Sequence, residues 1–235
     1  MKVSWKPGNM LYPLPAVLVS TRGRDGRDNL LTVAWTGTIN TNPPMVYISV
    51  RKSRYSYQAI HETGVFAINL TTEELAFATD FCGVRSGRDL DKFEACHLHK
   101  EEADEIAVSL LSESPVNIEC RVTEEKELGS HVMFLAEVLA VHADSDYVDE
   151  KQSFHLEKAH PIVYSHGTYF GLGKKLGTFG CSVMKAKKKK AAEKEEKPVK
   201  EARKSEKKIG QSVNPKKKTR KPERRSGKKK GNTRS

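Results

Sequence analysis

No uninterrupted apolar run in this 235-residue chain approaches the eighteen or so residues that cross a bilayer, because Glu137 breaks the longest one, Met133 to Val141. No membrane-spanning helix and no membrane partner are therefore expected. Cysteine is scarce, and Cys82, Cys96, Cys120 and Cys181 include no CxxC pair, which fits unpaired thiols in a reducing compartment better than a disulfide framework. The opening stretch MKVSWKPGNMLYPLPAVLVS carries Pro13 and Pro15 inside its apolar part, a poor signal-peptide core, so a cytoplasmic location is expected. The glycine-lysine loop of P-loop hydrolases is missing. The one glycine cluster, Gly171-Leu-Gly173-Lys-Lys-Leu-Gly177, misses the GxGxxG spacing and does not open a βαβ unit, which argues against Rossmann-type dinucleotide binding. There is no Ser/His/Asp elbow, and Cys96-His97-Leu98-His99 with Cys82 matches no usual zinc spacing, so no metal is expected.

Charge is abundant but unevenly placed. Residues 185–235 hold 23 Lys/Arg against 6 Asp/Glu, a formal +17, which leaves 18 against 24, or −6, for residues 1–184. The chain reads as an acidic body, residues 1–184, forming one domain, and a basic tail, residues 185–235. The tail has no aromatic residue and only Val199, Ile209 and Val213 as large aliphatics, too little apolar surface to offset the entropy of ordering, so disorder is expected. Without aromatics for base stacking, its lysine runs offer only phosphate attraction. Any binding of nucleic acid or another polyanion should ignore sequence and weaken with salt. A purely solubilising extension explains the same composition.

Seven stretches of the body alternate or run apolar at strand length: Ala16 to Ser20, Leu31 to Trp35, Met45 to Val50, Val65 to Leu70, Val116 to Val122, Met133 to Val141 and Ile162 to Ser165. Helical signals sit at Ser56 to Thr63, closed by Gly64, at Thr71 and Glu74 as a capping box ahead of Leu75, and at Asp89 to Cys96. Strands do not alternate regularly with helices, so the expected class is α+β and mainly β, a barrel with a helical excursion.

Three segments carry candidate chemistry. Asn29 to Trp35 leads into Thr36-Gly37-Thr38-Ile39-Asn40-Thr41-Asn42-Pro43-Pro44, a polar loop in which Gly37 would let a planar heteroaromatic ligand approach the main chain. An ordinary hairpin connection with Trp35 in the core explains it equally well. Arg51, Ser53, Arg54 and Ser56, with Ser56 opening a helix, could form an anion site for a phosphate monoester, or simply a capped helix beside a solvated basic turn. Gly83-Val-Arg85-Ser86-Gly87-Arg88-Asp-Leu-Asp-Lys92 repeats that mixture of glycine, hydroxyl and cation, and the pair of loops suggests a phosphorylated ligand. His131, at the start of a strand, suits either a ligand contact at a barrel rim or a structural histidine.

Four separated segments, AWTGTINTNPPMVYISVR, RYSYQAIHETGVFAINL, FCGVRSGRDLDKF and GSHVMFLAEV, together resemble the flavin reductase-like family with the FMN-binding split barrel, of the flavoredoxin type. The resemblance spans roughly residues 10 to 183. It implies a homodimer of six-stranded antiparallel barrels that bind FMN non-covalently. It places Trp35, Thr36, Gly37 and Thr38 beside the flavin ring, Asn29 and Lys92 as polar contacts, and Arg51, Ser53 and Ser56 near the phosphate. Arg85 and Ser86 of the second loop join that set, and His131 and Tyr164 fall at flavin-adjacent positions. The implied activity is an NAD(P)H-dependent FMN oxidoreductase, in which NADH or NADPH donates electrons that pass to free flavin or a redox protein. The chemistry resides in the cofactor, which fits the lack of an acid–base dyad. A non-catalytic FMN-binding protein, or a dimeric scaffold for a polyanion-binding tail, remains the alternative.

Overall fold

A computed structural model describes residues 1–183. The expectations for the basic tail, residues 185–235, lie outside the described residues. The chain divides into two units, Met1–Lys174 and Lys175–Ser235. In the second, residues 175–183 make two successive turns, closed by the Cys181 amide on the Thr178 carbonyl and the Val183 amide on the Gly180 carbonyl. The first unit is built mainly of strands.

Its elements run β1 (Leu14–Pro15), β2 (Val17–Arg22), β3 (Asp28–Val33), β4 (Thr36–Asn40), β5 (Met45–Val50), α1 (Tyr55–Thr63), β6 (Val65–Leu70), α2 (Ala76–Val84) and α3 (Lys92–Ala95). There follow β7 (Lys100–Glu101), β8 (Leu110–Leu111), β9 (Val116–Glu127), β10 (Val132–Ala143), two single turns of tight helix, β11 (Ile162–Ser165) and β12 (Thr168–Gly171). The main sheet is antiparallel with seven strands in the order β3-β2-β6-β9-β10-β5-β4, one more than the family resemblance implies. A small sheet, β1-β11-β12, stands apart from it. Mainly β structure with short helices is thus as expected.

Strand alternation builds two cores. Val17, Val19, Leu31, Val33, Ile48, Val50, Phe66 and Phe134 point to one side of the main sheet and pack together. Their neighbours Leu18 and Leu30 point to the other side and pack with Leu75, Cys82 and Phe93 from the helical excursion. β2 and β3 are therefore buried on both faces, which clamps α2 and α3 against the sheet. Each such side chain contributes roughly 1.5–3 kcal/mol of burial.

Several local expectations are corrected. β4 was expected as a loop; its residues are polar because it is an edge strand, paired only with β5, where outward side chains meet water. Ser56 does not cap α1: Arg54 holds the cap position with extended backbone, and Ser56 lies buried within the first turn. The Thr71–Glu74 capping box does not form, because the Thr71 hydroxyl donates to the Ala16 carbonyl at 2.6 Å and thereby ties the end of β6 to the link between β1 and β2. Gly64 closes α1 as expected, at φ 68°, its amide on the Ile60 carbonyl. α3 is capped by Asp91, whose carboxylate accepts from the Phe93 and Glu94 amides. All four cysteines are unpaired.

Candidate functional site

Two cavities adjoin where β3 and β5 meet α2, and they share Leu31, Arg51, Arg54 and Val84. The first, about 450 Å³, is aromatic. Trp35 leaves β3 half-buried and its ring meets that of His131, at the head of β10, with centroids 4.3 Å apart. Ser130 Oγ lies 2.8 Å from His131 Nδ1. Burial, then the nearby guanidinium groups of Arg51 and Arg54, lower the His131 pKa, so its neutral imidazole is favoured. The opposite wall is the β11–β12 hairpin, whose Tyr164 and Tyr169 rings lie 5.5 Å apart. α2 supplies Asp80, Gly83 and Val84, whose spacing puts them on one helical face. Burial, then the Asp80 carboxylate, pushes the Tyr169 phenol up to about 12, so it stays protonated.

The second cavity, about 380 Å³, is cationic. The turn after β5 brings Arg51, Ser53 and Arg54, and the loop after α2 brings Arg85, Ser86 and Arg88. Gly87 lets that loop lie flat, because a side chain there would come within 2.2 Å of Asn29 Oδ1 and 2.6 Å of the Tyr55 ring. Arg54 ties the first turn to the end of α2 by donating to the Gly83 carbonyl at 2.9 Å, and Arg88 ties the two loops together by donating to the Ser53 carbonyl at 3.3 Å. Asn29 and Thr21 donate to the buried Ser56 hydroxyl at 2.7 and 3.1 Å. Lys92, only 2% exposed, donates to the Leu30 and Cys82 carbonyls. Burial lowers its pKa. Among the described residues, no carboxylate lines this cavity. Among the described residues, Arg22, Arg24, Lys52 and Lys100 each reach a carboxylate, whereas Arg51, Arg54, Arg85, Arg88 and Lys92 do not.

Most of the sequence-predicted residues converge here. Asn29, Ser53, Ser56, Arg85, Ser86 and Lys92 line the cationic cavity, Trp35, His131 and Tyr164 the aromatic one, and Arg51 both. Thr36, Gly37 and Thr38 line neither. They are the start of β4, where the Thr36 hydroxyl donates to the Tyr47 carbonyl and Gly37 faces the Tyr47 ring. Trp35 is not a core residue, as the hairpin alternative required. Gly83 and Val84 open the second of the expected polar segments, while sequence reasoning missed Asp80, which helical spacing on α2 would have grouped with them, and Tyr169, for which no local signal exists.

Among the described residues, one cluster of metal-ligating type exists elsewhere, Asp104, Glu119 and His142, with ligand atoms within 4.8 Å of one another. The Glu119 carboxylate there is already engaged by three backbone amides and His142.

The family described as "Flavin reductase like domain" matches residues 9–173. A curated relative, an uncharacterized protein of Archaeoglobus fulgidus, is 32% identical over 136 residues, covering 57% of this chain and 76% of its own. The solved flavoredoxin of Desulfovibrio vulgaris (Miyazaki F) superposes with a TM-score of 0.74 at 27% identity, covering 78% of this chain and 100% of its own. A protein with a split barrel domain from Shewanella frigidimarina superposes at 0.65 with 23% identity, covering 71% and 85% of the two chains, and shares the fold.

Proposed function

Because the chain belongs to the flavin reductase-like family, we propose that it is an FMN-binding oxidoreductase of the flavin reductase or flavoredoxin type, fed by NADH or NADPH and passing electrons to flavin or another acceptor. The observation that carries this reading is the pairing of cavities: an aromatic one for a planar ring, opening through Arg51 and Arg54 into a cationic one without a carboxylate. That pairing fits a ring system bearing a phosphate monoester, and FMN is such a molecule. When bound, FMN supplies the hydride and electron chemistry.

The chain's own residues bind and orient. Arg51 and Arg54 stand at the junction, where guanidinium groups can chelate a phosphate and hold it in register with the ring. Ser53 and Ser86 add hydroxyl donors, and Lys92 adds a buried charge behind them. Trp35 and His131 form an aromatic wall, and His131, kept neutral, can donate or accept one hydrogen bond without adding charge. Tyr169 keeps its proton and offers a donor on the facing wall. None of these groups needs to act as an acid or base at neutral pH.

We take the working unit to be a homodimer. Supporting this, among the described residues β4 has no strand partner on its outer side and Ile39 on it is 44% exposed, a combination suited to burial against a second copy. The separation of an acidic body from a basic tail at residue 184 is part of the same proposal, with the tail dispensable for flavin binding.

The deciding experiment is the visible spectrum of the purified full chain, recorded anaerobically before and after NADH and then NADPH. A flavin spectrum that bleaches with either donor supports the reductase. A flavin spectrum that persists with both removes the nicotinamide step and leaves a flavin-binding protein. A colourless protein that takes up no added FMN overturns the reading.

A further inference from the structure

Residues 1–11 precede the first strand, and every one of them is exposed. Val3 and Trp5, at 78% and 74% exposure, hold their apolar surface in water. In Lys2-Val3-Ser4-Trp5-Lys6 apolar and polar side chains alternate, which is the pattern of a strand that buries one face. Pro7, with no amide hydrogen to give a ladder, ends the run. Yet these five residues form no strand, and among the described residues no backbone group pairs with theirs. A segment patterned for a sheet stands outside one.

β4 has the matching deficit. It ends the main sheet and, among the described residues, is bonded to β5 alone. Edge strands are commonly blunted by charged side chains or proline, and β4, Thr36-Gly37-Thr38-Ile39-Asn40, has neither. Its bulge falls between Thr38 and Asn40, so Thr36 to Thr38 keep regular register and can template another strand. The strand at the other end of the sheet, β3, is buried on both faces and covered by helices. β1, from which the arm departs, lies beside β4. Within one chain the arm does not cover that edge, since Trp5 and Ile39 are both exposed. Residues 7–13 link the patterned stretch to β1 and span at most about 23 Å. In a two-fold dimer that meets at β4, each arm therefore starts beside the interface and faces the partner's open edge, and the exchange is reciprocal.

We propose that residues 2–6 of each copy add as an extra strand to the outer edge of β4 in a second copy, burying Val3 and Trp5 together with Ile39, so that exchanged arms hold the homodimer. The proposal rests on the homodimer reading and names the segment that completes the edge. Strand addition supplies affinity through main-chain hydrogen bonds and specificity through the alternate side chains. The arm is also tied to the candidate site. Tyr12, between the arm and β1, has its ring 4.1 Å from that of His166 and 6.2 Å from that of Tyr164, which lines the aromatic cavity. Each arm is thus anchored on its own cavity wall before it crosses to the partner.

The full-length chain is compared with the double variant Val3→Asp with Trp5→Asp and with Ile39→Lys, by sedimentation velocity over a concentration series and by amide hydrogen exchange. All three positions are exposed, so each variant should keep the fold, read by circular dichroism. The parent chain should be a dimer with slowed exchange at residues 2–6 and at Thr36 to Thr38. Either variant should dissociate about a hundredfold more readily, because apolar side chains return to water at both exchanged arms. A mixture of the two variants gives the sharper readout: one keeps an intact edge and the other an intact arm, so heterodimers with one seated arm should outnumber both homodimers. A dimer of unchanged affinity in the Val3, Trp5 variant overturns the proposal and leaves the homodimer reading standing. Failure of the mixture to form heterodimers overturns it as well. A parent chain that is monomeric at every concentration, with fast exchange at residues 2–6, overturns both readings. A monomer in which those residues are protected puts the arm on its own β4 and overturns the exchange.

Discussion

Among the described residues, Glu119 and Lys92 are charged side chains withdrawn from water, and the molecule treats them oppositely. The Glu119 carboxylate, fully buried, accepts from the amides of Asp104, Glu105 and Ile106 at 2.8, 2.7 and 3.1 Å and lies 2.6 Å from His142 Nε2. Burial by itself would raise its pKa, and these donors outweigh that and hold it below the ordinary carboxylate range. Lys92 has two carbonyls and no carboxylate, and its pKa is driven down by burial, with Arg54 adding repulsion. One charge is fully compensated inside the protein and clamps the segment 104–106 to β9 and β10. The other is under-compensated beside the cationic cavity, where an anion from outside would complete it. A buried charge left short of partners marks a binding site better than the mere presence of charge does.

The comparison can be broken at either end. Glu119→Gln should cause the largest loss, about 3 kcal/mol in urea unfolding, because a carboxamide cannot accept from all four donors. A loss under about 1 kcal/mol would show that the clamp does not hold segment 104–106. The sign with pH follows from the lowered pKa: the stabilisation by Glu119 is complete at neutral pH and fades as pH falls below the ordinary carboxylate range, and Glu119→Gln should lack that acid limb.

Gly87→Ala comes next, at about 2 kcal/mol, since the added methyl would overlap Asn29 and Tyr55 and push the Arg85–Arg88 loop off the sheet. Lys92→Met should weaken FMN binding about tenfold, or about 1.4 kcal/mol, in a fluorescence titration. Its thermal midpoint should move less than that of Glu119→Gln. Equal effects on unfolding and no effect on FMN would erase the distinction between the two charges.

The pH profile sharpens it further. With its pKa lowered, the Lys92 ammonium destabilises the flavin-free protein at neutral pH, and stability should rise as pH climbs from that lowered value to the ordinary lysine range. FMN affinity, which needs the ammonium, should fall over the same range, and Lys92→Met should flatten that fall. The smallest effect is expected from Trp35→Leu, about 1 kcal/mol of FMN affinity with no loss of stability, read by the same titration.

Much of the architecture was legible in the chain. β5, β6 and β11 occupy the expected residues, because their alternating or continuous apolar pattern reports burial directly. β4 was not legible, since an edge strand needs neither apolar face and its threonines and Gly37 resemble a loop. At the site, the cations and hydroxyls after β5 and α2 stood out as two similar segments. What set Ser56 apart from Ser53 was not visible: one lies inside a helical turn holding Asn29, the other on the open turn. The Asp80 and Tyr169 wall was invisible because the helix and hairpin that bring them together are almost ninety residues apart in the chain.

By itself, the sequence determined the strand set, the mainly β class, the division into an acidic body and a basic tail, and a site built from two polar loops. These follow from periodicity and composition, which are local or additive along the chain. Only the tertiary structure decided that the two loops meet in one cavity where, among the described residues, no carboxylate stands, and that Lys92 is buried there and Glu119 is satisfied elsewhere. Those are facts of juxtaposition and desolvation, which depend on how antiparallel pairing folds distant segments together and cannot be read from residue identity.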